Sequence, residues 1–418
     1  MGCVFGYNRT MPNRPDTSTT SDEPALALGG RTVIPGLVVG HAAFHWSVQS
    51  FVVALPEIQQ TFGLSGVGVG GILAARELAT AAVKLPGGVA VDALRRYWGT
   101  VLAACLGASA LGLLVLGVSP VYPLLLVGIA ILAASHSIWH LPASASLSHH
   151  YSERRGVTLA IHGVGGSVGD VAGPVVTGAL LAFLSWRGLL SIYAVAPLFL
   201  GIVAIWAFRN IGHRIEEDRA EPTERYEVTR GLLRSPALWG LAAVYGFRAM
   251  ALVALVTILP LYLDNDLGLS PSSRGIHIGL LIAIGLLAKP VTGYLSDRLG
   301  RKPVLGPGLV WSCALALGLL VFDSGVLLTV CVALLGLFLY PDQPILTAAV
   351  FDTVESEVAS TGLGFVSFVG SLMAVVSPLI AGGLYEGVGF EAVVYYVAGL
   401  FGLSAVVFVG VPGAGNRE

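Results

Sequence analysis

Apolar runs long enough to cross a bilayer recur from residue 33 to residue 411, separated by short polar breaks. A helix needs about 20 residues to span about 30 Å of hydrocarbon. Only helices or closed barrels satisfy their backbone in lipid, and runs of this length suit helices. They predict helices at 33–54, 67–91, 98–118, 121–147, 157–184 and 188–208, then at 236–263, 275–295, 304–322, 326–350, 361–385 and 390–411. The expected fold class is an all-α integral membrane protein of twelve transmembrane helices. Composition agrees: 55% of the 418 residues are hydrophobic and 11% charged, against roughly 25% charged in soluble domains.

Lys and Arg beside a span resist translocation and so fix sidedness. With the N-terminus inside, the inner breaks hold Arg9, Arg14 and Arg31, Arg95 and Arg96, Arg154 and Arg155, Arg298, Arg301 and Lys302, and Arg417. Arg187 and Arg274 alone remain outside. Both termini are therefore expected in the cytoplasm of a plasma (cell inner) membrane protein. One inner loop is anomalous: DTVESEV (352–358) carries acid and no Lys or Arg.

The one long charged stretch, 209–235, reads as a cytoplasmic linker between two bundles, 31–208 and 236–418. Residues 1–30 are rich in turn formers and lack a signal-peptide core, so a disordered cytoplasmic tail is expected there, with Met11 as an alternative start. The halves repeat. KLPGGVAVDALRR (84–96) aligns with KPVTGYLSDRLGRK (289–302), setting Lys84 on Lys289, Gly88 on Gly293 and Asp92 on Asp297 at one offset, and Pro174 and Pro378 nearly keep it. Duplication of a six-helix bundle accounts for this.

GYLSDRLGRK, with Gly293, Asp297, Arg298, Gly300 and Arg301, closely resembles the signature that transporters of the major facilitator superfamily carry between helices 8 and 9. The first copy keeps Gly88, Asp92 and Arg96 but has Arg95 where that family has Gly, and Tyr97 where a second basic residue is common. A small residue admits a neighbouring backbone, and a carboxylate at a helix end can face the positive N-terminus of another helix. The resemblance implies that Asp92 meets the start of helix 11 across the halves and helps close the cytoplasmic side. It also implies two pseudo-symmetric six-helix bundles.

Gly165, Gly169 and Gly173 recur every fourth residue in helix 5, and Pro174 follows. The run from Gly169 to Gly178 resembles the antiporter motif of proton-coupled drug exporters, with Thr177 where Gly is usual. Tight helix packing explains the same glycines equally well. Ser135 to Leu180, with Trp139-His140-Leu141-Pro142 and a Gly-Gly pair, is similar to the fosmidomycin-resistance branch of the superfamily.

Ionisable groups inside spans are costly and usually face a cavity or a partner. His41 and His45 share one face of helix 1, and His136 and His140 one face of helix 4. Helix 2 carries Arg76 and Glu77, helix 5 His162 and Asp170, helix 7 Arg248 and helix 10 Asp342. By the resemblance, the first and fourth helices of each half line the central path. Arg248 is the leading candidate for binding a substrate anion and Glu77 for carrying a proton, with His45 and His140 as alternative carriers. Arg76 and Glu77, adjacent in sequence, are expected to point apart without an ion pair. Lys84 and Lys289 are expected to snorkel towards the cytoplasmic surface.

His136 and His140 have the spacing of a metal pair, but no third ligand is visible in the sequence and no metal is expected. The four cysteines form no CxxC, and a disulfide framework has no support. No nucleotide loop or nucleophile motif stands out, and most loops are too short for a catalytic domain, so neither enzyme nor cofactor nor nucleic acid is expected. The expected function is alternating-access transport of a small organic molecule, with proton-coupled efflux ahead of proton-coupled uptake of an organic anion. A membrane enzyme or receptor on the same scaffold ranks last. The expected partners are the small-molecule substrate, protons and the lipid bilayer, and the expected state is a monomer.

Overall fold

In the computed structural model of the chain, residues 29–151, 154–212, 234–354 and 359–412 are described. The tail up to residue 28, most of the linker, the end of the acidic loop and the C-terminal residues lie outside them. The first half builds α1 (Gly29–Val53), α2 (Leu55–Phe62), α3 (Gly66–Ala93), α4 (Trp98–Val118), α5 (Tyr122–His150), α6 (Arg155–Leu180), α7 (Trp186–Tyr193) and α8 (Val195–Ala207). The second half builds α9 (Pro236–Leu261), α10 (Pro271–Leu299), α11 (Arg301–Gly318), α12 (Gly325–Leu339), α13 (Asp342–Thr353), α14 (Ala359–Gly387) and α15 (Phe390–Gly410). Among the described residues the secondary structure is helical.

Ten helical stretches are long and apolar enough to cross a membrane, or eleven if α1 and α2, bent by 51°, form one span. Twelve were expected. The shortfall is α11, whose 18 residues open on Arg301 and Lys302, so its charged start weighs on the whole helix. Two of the expected spans are broken: the sixth at Ala194, between α7 and α8, and the tenth at Tyr340–Pro341, between α12 and α13. Helix ends carry local signals. Ser185, Ser235 and Ser270 cap the starts of α7, α9 and α10, accepting from the backbone N–H of Gly188, Leu238 and Ser273. Gly63 closes α2 at φ 59°, in the left-handed region open to glycine.

The hydrophobic effect does not drive helices together in lipid; close backbone approach does. α1 packs on α6, and its counterpart α9 packs on α14, as a duplicated bundle requires. Gly165, Gly169 and Gly173 all face α1, where a Cβ would strike the carbonyls of Val38, Ala42 and Trp46 in turn. The opposite stripe of α6, Val157, Ile161, Val164 and Val168, is exposed, as a lipid-facing surface should be. Across the halves α3 packs on α14 and α6 on α10. A side chain at Gly66 or Gly70 would meet the carbonyl of Gly382 or Pro378, and one at Gly275 that of Pro174. These close crossings sit at the end of the bundle away from the linker.

Candidate functional site: a charged cavity between the halves

Behind those crossings lies a cavity of about 360 Å³, lined from the first half by His45, Gln49, Arg76, Glu77, Lys84, His136 and Asp170. The second half contributes Tyr245, Arg248, Lys289, Tyr340, Gln343 and Ser371. So many ionisable groups at mid-span is the mark of a substrate path rather than a packed core.

Most of the charges are paired. Arg248, 4% exposed, donates through Nε to Asp342 Oδ2 at 2.5 Å and through Nη2 to the Leu339 carbonyl at 2.9 Å. The break before Asp342 makes this possible, because it places the carboxylate in the first turn of α13 and frees a carbonyl one turn back. Arg248 therefore reaches the cavity already neutralised, which weakens its candidacy as a free anion site. Arg76 and Glu77 do form an ion pair, contrary to expectation: Arg76 Nε and Nη2 lie 2.9 and 2.6 Å from Glu77 Oε1. Adjacent helical residues diverge at Cβ, but both side chains are long and largely shielded from water, so they swing together rather than stand unpaired. His45 Nδ1 and Gln49 Nε2 both donate to Asp170 Oδ1, at 2.8 and 3.0 Å.

The lysines depart furthest from the sequence reading. Lys84 and Lys289 line the cavity instead of reaching for the membrane surface. Lys84 Nζ donates across the halves to Ser371 Oγ at 2.5 Å, and neither lysine forms an ion pair among the described residues. His136 lines the cavity and its Nε2 stands 3.1 Å from that of His140. The fold groups His140 not with His136 but with two histidines of α1: His41, His45 and His140 hold nitrogens within 4.8 Å of one another. α1 and α5 are distant in sequence, so spacing within one helix gave no sign of this.

Sequence reasoning also missed the closure at the end away from the linker. Arg274, 1% exposed, pairs with Glu57 of the first half and Asp264 of the second. Gln60 Nε2 donates to Asp264 Oδ2 and Asn265 Nδ2 to Gln59 Oε1, both at 3.0 Å. Arg274, one of two arginines left in the outside breaks, was the available signal.

At the other end, the second signature copy is an ion-pair hub. Arg301 bonds Asp297 Oδ1 at 2.5 Å, Asp352 Oδ2 at 2.7 Å and Ser296 Oγ at 3.1 Å. The acid in the anomalous inner loop thus answers the arginine of the motif. Gly300 sits at φ 96°, which only glycine adopts freely, and turns the chain from α10 into α11. Arg298 instead lies over the ring of Tyr294, and a Cβ at Gly293 would meet open space. Arg96 stacks near Tyr97, whereas of Gly88 and Asp92, in the last turns of α3, only the helical backbone is described.

Apolar helices in two related halves, closed over a charged cavity at one end, are the architecture of a membrane carrier. The family model of the Major Facilitator Superfamily matches residues 37–288 and 241–417, and the chain belongs to that superfamily. It is 26% identical over 282 residues to a nitrite extrusion protein of Bacillus subtilis, covering 63% of this chain and 65% of that one, just under two thirds of the relative's length. It is 22% identical to the membrane sensor protein UhpC of Escherichia coli, over 91% of this chain and 92% of the sensor. A fosmidomycin resistance protein of Escherichia coli is 22% identical over 62% of this chain and 63% of its own. Among solved structures, a bacterial homologue of the human lysosomal transporter Spinster, inward-facing and unoccupied, superposes with a TM-score of 0.73 at 14% identity, over 92% and 95% of the two chains. The chain is a multi-pass membrane protein of the secondary-transporter class, not an enzyme.

Proposed function

We propose that this carrier moves a small organic anion together with a proton. The observation that carries the reading is the excess of positive charge in the cavity. Lys84 and Lys289, one from each half and related by the repeat, face it without ion-pair partners among the described residues. An anion held by both would touch both bundles, which is what a substrate must do to favour rocking between states.

The Arg76–Glu77 pair supplies the coupling. While Glu77 is ionised it occupies Arg76; once protonated it releases the guanidinium for the substrate. Proton and anion then bind together, and an inward proton gradient drives uptake. Efflux is the second reading, favoured by the names of the nitrite extrusion and fosmidomycin resistance relatives. It requires proton and substrate to compete for one site. The linker end is taken as cytoplasmic from its arginines, and the Arg274 cluster as the closed outer gate of an inward-facing state. The division into two bundles at the 209–235 linker and the gating roles of Asp92 and Asp297 belong to the same proposal.

Proteoliposomes separate the readings by polarity. With acid outside, a symporter accumulates anion inside; with acid inside, an antiporter does. Lys84→Gln and Lys289→Gln are each expected to raise the half-saturation concentration about tenfold, the loss of one charge-assisted contact of about 1.5 kcal/mol. Unchanged affinity in both variants would remove the lysines from the site.

A further inference from the structure

Five imidazoles meet inside the first half, where α1, α5 and α6 pack: His41, His45, His136, His140 and His162. Two of them have their tautomers fixed by their partners. His41 Nδ1 lies 2.8 Å from the carbonyl oxygen of His162, and a carbonyl only accepts, so Nδ1 carries the hydrogen. His45 Nδ1 lies 2.8 Å from Asp170 Oδ1, and an ionised carboxylate likewise only accepts. In each neutral ring the lone pair is therefore left on Nε2. Both Nε2 atoms are buried and have no hydrogen-bond partner. A buried lone pair without a donor is unfavourable, and two on rings in edge-on contact, 4.6 Å apart between centroids, call for one electrophile between them.

We infer that His41, His45 and His140 form a binding site for a divalent transition-metal ion of the zinc class. Their ligand nitrogens lie within 4.8 Å of one another. Zn–N bonds of about 2.0–2.1 Å in tetrahedral geometry set such nitrogens about 3.4 Å apart, so small rotations about the side-chain bonds close the set. Imidazole donors suit zinc, nickel, cobalt and copper over magnesium or calcium. The supports are those of histidine metal sites: a carboxylate holds one ring through Nδ1 and a backbone carbonyl holds another. Gly166 leaves room, since a Cβ there would come within 2.8 Å of His41 Nε2. Three nitrogens leave a fourth position open. His45 itself lines the central cavity, so that position is available to water or to an anionic group there.

The probe is Zn²⁺ alone, titrated into the purified, tag-free, full-length protein at neutral pH, with Co²⁺ in parallel for its visible absorption. One ion per chain and the bands of tetrahedral cobalt are expected. His45→Gln and His41→Gln should each abolish stoichiometric binding. Asp170→Asn keeps all three ligands and should weaken binding about 10- to 100-fold by freeing the His45 ring. His149→Gln with His150→Gln, at the end of α5, should change nothing. Absence of stoichiometric binding in the wild type, its survival in His45→Gln, or its loss in the His149/His150 variant overturns the site. Should the His45 or His41 variant fail to fold, the Asp170→Asn affinity decides, and an unchanged value overturns it.

Discussion

Arg248 holds a full charge at 4% exposure, and Asp342, itself 2% exposed, is what makes that tolerable. The sequence showed both residues as intramembrane charges but could not show that they were partners. Their contact spans 94 positions and depends on how α9 and α13 are rotated towards each other. The same limit hid the meeting of His41 with His140, and it made Lys84 and Lys289 look like surface anchors. Removing one member of a buried pair strands the other. Arg248→Ala is therefore expected to cost about 3–5 kcal/mol, whereas Arg248→Met combined with Asp342→Leu should recover most of it. Thermal unfolding of the purified variants in detergent checks this. If Arg248→Ala melts with the wild type, the guanidinium is available for substrate after all.

The helices themselves were legible because their length and apolarity are set by the bilayer, a constraint every span meets separately. What was not legible was where a span breaks. Pro341 is a visible signal, yet the break at Tyr340–Pro341 acquires meaning only through Asp342, which it places at the head of α13. The glycines of α6 were open to two readings, and three of them pack against α1 within one half. α2 was expected as a loop; it carries Glu57, Gln59 and Gln60 into the outer closure. Arg274→Gln is expected to loosen that closure. Spin labels at Gln59→Cys and Asn265→Cys, without the native cysteines, should show a longer and broader distance distribution in the variant. At the other end Arg301 holds two carboxylates, so Asp297→Asn should slow cycling without preventing insertion, read as lower flux at matched protein in liposomes. Wild-type flux would remove the hub from the cycle.

At the scale of the whole molecule, the two lysines of the cavity stand at one repeat-related position. Lys84 comes from the first half and Lys289 from the second, and both line the cavity. The ion pairs are not repeated: Arg76 and Glu77 pair within the first half, and Arg248 and Asp342 within the second. On the proposed reading, an anion gathered between the halves engages both lysines, which the empty carrier keeps apart. In the proposed mechanism Glu77 makes that engagement depend on a proton. The most direct measurement is gradient-driven uptake by Glu77→Gln in proteoliposomes, with small carboxylates and a sugar phosphate as candidate substrates. Wild type should accumulate its anion when the outside is acid, while Glu77→Gln should still exchange labelled for unlabelled anion but no longer respond to the gradient. Full gradient-driven accumulation by Glu77→Gln would contradict the account.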